Sequence, residues 1–114
     1  MALKMTEREV SGITVVAMDG RIVLGEESNA LRERIKGLLN NKKTKIVLDM
    51  GHVTYIDSAG LGTLVASYHS ARQQGATMKL VNLGQKFREV LQVTKLLTVF
   101  EVHDNEAAAV SSFK

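Results

Sequence analysis

Ser58 lies six residues after His52, and Asp49 and Asp57 flank that histidine. A hydroxyl nucleophile, an imidazole base and an orienting acid are therefore close along the chain, which is the chemistry of a small serine hydrolase. Such a triad also needs each side chain oriented by the next, and a site for the oxyanion. The elbow that presents a catalytic serine is Gly-x-Ser-x-Gly. Here Ile56 stands where the first glycine should be, although Gly60 fills the later place. Gly60-Leu61-Gly62 hints at a dinucleotide fingerprint, but its third glycine position is Val65, and eight residues separate Leu48 from Asp57. His52, His69 and His103 are isolated, without the spacing of a helical metal site, and cysteine is absent. The residues thus argue for no catalysis, no metal and no cofactor. A hydrolase or nucleotide-binding enzyme remains a minor alternative, which loss of turnover on His52→Ala or Ser58→Ala would support.

Another role for Ser58 follows from the elements around it. Ile46, Val47 and Leu48 form an apolar run suited to a strand covered on both faces. Asp49 to Asp57 then reads as a connection, with His52 in it. After it Leu61, Leu64, Val65, Tyr68 and Ala71 trace one helical face, and Gly75 supplies a left-handed stop. A helix over 58–74 places Ser58 or Asp57 at its N-terminus, where either side chain can accept a hydrogen bond from a first-turn amide. That end is partly positive and suits a phosphate. Gly60 and Gly62 are costly in a first turn; they serve either close packing on the sheet or a bare backbone that a partner approaches. Leu61, between them, is the apolar residue least suited to the core.

The rest of the chain supplies the frame. Lys4 to Val10 and Ile13 to Met18 predict a hairpin about Ser11-Gly12, followed by a second turn at Asp19-Gly20. Ile22 to Leu24 either continues the second strand or forms a short extended segment. A helix is expected over 26–40, strands over 45–50, 77–83 and 98–102, and helices over 85–93 and 106–110. His103-Asp104-Asn105 marks the start of the last helix. Met5, Met18, Met50 and Met78 fall at strand positions and are read as core. With 114 residues and no internal repeat, a single domain over 1–114 is expected.

Asp57-Ser58-Ala59-Gly60-Leu61-Gly62, preceded by the strand ending in Asp49 and by Val53-Thr54-Tyr55-Ile56, resembles the signature of the STAS domain, specifically the bacterial anti-sigma factor antagonists. Gly20-Arg21-Ile22 and Leu80-Val81-Asn82-Leu83 fall where that family has similar segments. The resemblance implies an α/β fold: an N-terminal β-hairpin, then alternating helices and strands in a mixed, largely parallel sheet with helices packed against it. It implies a regulator without catalysis of its own. The unphosphorylated form would bind an anti-sigma factor that is also an ATP-dependent serine kinase, and so free a sigma factor. Phosphorylation of Ser58 would switch that binding off, and a phosphatase would restore it. Asp57, Ser58, Ala59, Gly60, Leu61 and Gly62 would form the partner-binding turn, with Gly20 to Glu27 nearby. Many members of that family carry Asp where this chain has Val23. An alternative within the family is a non-switching scaffold subunit of a transport or signalling complex, in which Ser58 is only a helix cap.

Fifteen basic against twelve acidic residues, with no tryptophan, form no clustered basic stripe with stacking aromatics, so a direct nucleic-acid partner is not expected. No run of about 18 apolar residues occurs, so membrane insertion is not expected, and a cytoplasmic location is the simplest expectation.

Overall fold

The computed structural model describes residues 3–113. The chain opens with the antiparallel pair β1 (Lys4–Val10) and β2 (Ile13–Ile22), turned at Ser11 and Gly12, both with positive φ. Such a two-residue turn matches the twist of its flanking strands. There follow α1 (Glu26–Asn40), β3 (Lys45–Ile56), α2 (Ser58–Gln73), β4 (Thr77–Val81), α3 (Gln85–Val93), β5 (Val102–His103) and α4 (Glu106–Ser112). The strands lie in the order β1-β2-β3-β4-β5, and every pair after the hairpin is parallel. The expected mixed, largely parallel α/β sheet is therefore the fold.

Both faces of the sheet are covered, which explains the unbroken apolar run at the start of β3. Ile46, Leu48 and Met50 point to one face, where Leu31 and Ile35 of α1, Leu64 and Tyr68 of α2 and Leu91 of α3 complete the main core. Val47 points to the other face and packs with Val15, Val81 and Ala109 of α4. Met18, Met50 and Met78 are buried as expected, and Met5 packs against the core from its edge. Gly75, with φ 81°, follows the last turn of α2. Asn105 caps α4 by accepting a hydrogen bond from the Ala108 amide at 2.9 Å.

Four expectations are corrected. Residues 50–56 are strand rather than connection: β3 runs on beside β2 as far as Ile22↔Ile56, so His52 is a strand residue paired with Asp19. Asp19-Gly20 is no turn; β2 passes through it with register shifts between Ala17 and Asp19 and between Gly20 and Arg21. Such bulges bend a strand without ending it. β4 stops at Val81 rather than Leu83, because Asn82 adopts a left-handed backbone (φ 58°). Its side-chain amide donates to Asp49 Oδ1 at 3.0 Å, an oxygen that also accepts from the Gly51 amide at 2.9 Å. The last strand is two residues, Val102–His103; Leu97 to Val99 form turns instead, held by bonds such as Val99 N to Leu96 O.

The α4 side holds a buried charge that the sequence reading did not single out. Lys79, opposite Val47 in the sheet, is 4 % exposed. Its ammonium meets Glu101 Oε2 at 2.8 Å and Ser112 Oγ at 2.5 Å, and lies 4.1 Å from the ring centre of Phe113. These contacts fasten the last helix to the sheet.

Candidate functional site

The N-terminus of α2 is built around Asp57. Its backbone is extended (φ −96°, ψ −179°), and its Oδ1 accepts a hydrogen bond from the Gly60 amide at 2.7 Å. Of the two candidate caps, Asp57 is the one that acts. Its other oxygen, Oδ2, accepts from the amide of Leu24 at 3.0 Å, and its own amide donates to Ile22 O at 3.2 Å. One carboxylate thus ties the β2–α1 loop to the start of α2. Donation from Gly60, and then from Leu24, holds the Asp57 carboxyl below the usual aspartate range, since both bonds favour the charged form.

The two glycines separate cleanly. A Cβ built on Gly60 would lie 1.9 Å from the carbonyl oxygen of Ile22, so packing requires glycine there. A Cβ on Gly62 would meet nothing within 4 Å, and Gly62 is exposed. The expectation for Leu61 is overturned: it is 8 % exposed and belongs to the main core. Its position three before Leu64 and seven before Tyr68 sets it on the buried face, and flanking glycines do not alter that periodicity. Exposed apolar side chains adjoin Asp57 instead: Leu24, 76 % exposed and bonded to Asp57 through its amide, and Tyr55, 57 % exposed and two residues before it. The sequence reading set Gly20 to Glu27 near the turn, and the bond from Leu24 bears this out, but it did not single out Leu24 or Tyr55; for Leu24 the available signal was an apolar residue placed directly before the Gly25-Glu26 helix start.

Ser58 is exposed, and its hydroxyl makes no hydrogen bond among the described residues. Ala59 is half-buried behind it. No relay connects Ser58, His52 and an acid. Asp49 is engaged by Gly51 and Asn82, and Asp57 by Gly60 and Leu24. His69 is exposed on α2, while His103 bonds Glu101 Oε2 at 2.8 Å on the far side of the sheet. Among the described residues no three His, Asp or Glu side chains gather as metal ligands would, and no helix is long and apolar enough to cross a membrane.

The turn, the hairpin and the parallel sheet all agree with a match of residues 4–109 to the model of the STAS domain. The chain belongs to the STAS domain family. Among its STAS relatives is a Bordetella bronchiseptica protein provisionally named anti-sigma factor antagonist BtrV, 27 % identical over 112 residues, which cover 98 % of this chain and 96 % of that one. The fold is also that of an anti-sigma factor antagonist from Mycobacterium paratuberculosis, with a TM-score of 0.84 at 22 % identity over 96 % of this chain and 92 % of that one. The Bacillus cell fate determinant SpoIIAA in its phosphorylated form is similar too, with a TM-score of 0.73 at 17 % identity over 97 % and 100 % of the two chains.

Proposed function

We propose that this STAS chain is an anti-sigma factor antagonist whose unphosphorylated form binds an anti-sigma factor and whose affinity is switched off by phosphorylation of Ser58. The observation that carries this reading is a division of labour at the start of α2. Asp57 does the capping, so the hydroxyl of Ser58 is exposed and unengaged on a backbone that is already fixed. A serine that served as the cap would have to give up that bond to be modified. The names of relatives such as the Bordetella protein support the partner class.

The docking surface on this reading is the turn from Asp57 to Gly62 together with Leu24 and Tyr55. Gly60 and Leu61 shape the turn from within, while Ser58 and Gly62 face outward. Leu24 supplies the exposed apolar contact, held in place by the bond from its amide to Asp57. A phosphate on Ser58 would add about −1.5 to −2 charges beside that contact. It would be favoured by the helix dipole and would therefore leave the fold intact, while imposing desolvation and repulsion on a bound partner. A loss of about 3 kcal/mol at the interface weakens binding more than a hundredfold, so no conformational switch is needed. The kinase is the anti-sigma partner, a separate phosphatase resets the site, and this chain performs no chemistry.

Phosphate mapping on the chain isolated from its native cells tests the assignment. Modification at Ser58, abolished in Ser58→Ala, supports it; a chain that carries no phosphate at Ser58 under any growth condition contradicts it.

A further inference from the structure

β3 is paired on both edges only as far as Asp49. Its ladder with β4 ends at Asp49↔Val81, whereas its ladder with β2 continues to Ile22↔Ile56. The chain that would cover the second edge turns away at Asn82 and returns as α3. Between that edge and α3 lies a groove of about 290 Å³, lined by residues 53–56 of β3 and by Lys86, Phe87 and Val90 of α3. β3 bulges against β2 at Thr54, since Gly20 pairs with Val53 and Arg21 with Tyr55, while on its other side no strand pairs with it beyond Asp49.

An unpaired edge is a template for another strand, and proteins usually blunt theirs with charge. β1, at one end of the sheet, is blunted in this way by exposed Lys4, Glu7, Arg8 and Glu9. The open part of β3 carries no charge: Thr54 and Tyr55 are exposed, Val53 and Ile56 are half-buried against the main core, and Phe87 and the 38 %-exposed Val90 face them across the groove. Lys86 is the one charged side chain among those lining it. We infer that this edge accepts an extended segment of a partner protein as an added strand, apolar at alternate positions and carrying a carboxylate toward Lys86. A second copy paired edge to edge would bring two Lys86 ammonium groups into one groove with no acid lining it, which disfavours self-association. That the segment belongs to the anti-sigma partner rests on the function proposed above. The groove and the phosphoacceptor are consecutive along the chain, since Ile56 borders the groove and Asp57 and Ser58 follow.

The test titrates the ¹⁵N-labelled chain with a blocked peptide, valine-threonine-valine-glutamate-valine-threonine, and with its counterpart carrying lysine for glutamate. The expected result is perturbation confined to amides of 53–56 and 86–90, with the glutamate peptide favoured by about fivefold, as an exposed charge pair allows, and that preference lost in Lys86→Glu. No perturbation at these amides, equal response to both peptides, or indifference to Lys86→Glu overturns the inference. Perturbation of the same amides by raising protein concentration alone also overturns it and assigns the edge to a second copy. The peptides carry no kinase, so a silent groove alongside intact Ser58-dependent partner binding removes the added strand and leaves the proposed function standing.

Discussion

The α-carbon of Gly60 sits against the carbonyl oxygen of Ile22, so close that a methyl group there would lie 1.9 Å from it. That oxygen also accepts the amide of Asp57, so one backbone carbonyl fixes where α2 starts relative to β2. Gly60→Ala is expected to destabilise the chain by about 3 kcal/mol or more, the upper end for overpacking, because backbone rather than a flexible side chain must yield. Gly62→Ala, in open space, is expected to stabilise by about 0.5–1 kcal/mol through helix propensity. Urea denaturation of the two variants checks both signs; equal effects would contradict the division drawn between the glycines.

Asp57 should carry a pH signature. Its folded pKa is depressed by the Gly60 and Leu24 amides, so its contribution is fully present above the unfolded aspartate value of about 3.9 and is lost as pH falls through the lower folded value. Asp57→Asn can keep the bond from Gly60 but offers no second acceptor to Leu24. Thermal unfolding should therefore show a lower midpoint than wild type at pH 7, with the gap narrowing as pH falls below the unfolded aspartate value of about 3.9. A gap independent of pH would mean that the carboxylate charge is not what ties the loop to the helix.

Leu61 should behave as a core residue and Leu24 as a contact residue. Leu61→Ala is expected to cost about 2–5 kcal/mol as a core truncation. Leu24→Ser, at an exposed position, is expected to change stability by less than about 0.5 kcal/mol while weakening partner binding at least about tenfold. Calorimetry of folding and of partner binding separates the two; a Leu24→Ser variant that binds normally would remove Leu24 from the interface.

Much of this was legible in the sequence because local signals agreed. Ser11-Gly12, the apolar run at Ile46, and the 3.6-residue stripe from Leu61 to Ala71 each matched the element they belong to. What was hidden depended on distant partners. Gly51, His52 and Thr54 have no strand pattern of their own, and they are extended because bulged β2 runs alongside them. Ser58 and Asp57 are both good caps by type, and only the extended backbone at Asp57 decides between them. Lys79 gave no sign that it was buried, since its counter-ion, Glu101, lies beyond the next helix and a turn.

The most direct test compares the partners retained from native cells by wild type, Ser58→Ala and Ser58→Asp, with phosphate mapped on the wild type. The account predicts phosphate on Ser58 of the wild type, an anti-sigma factor with a serine-kinase domain held by Ser58→Ala, and loss of that partner with Ser58→Asp. Identical partners on all three baits, with Ser58 unmodified, would contradict it and leave a constant scaffold whose exposed serine has no regulatory part.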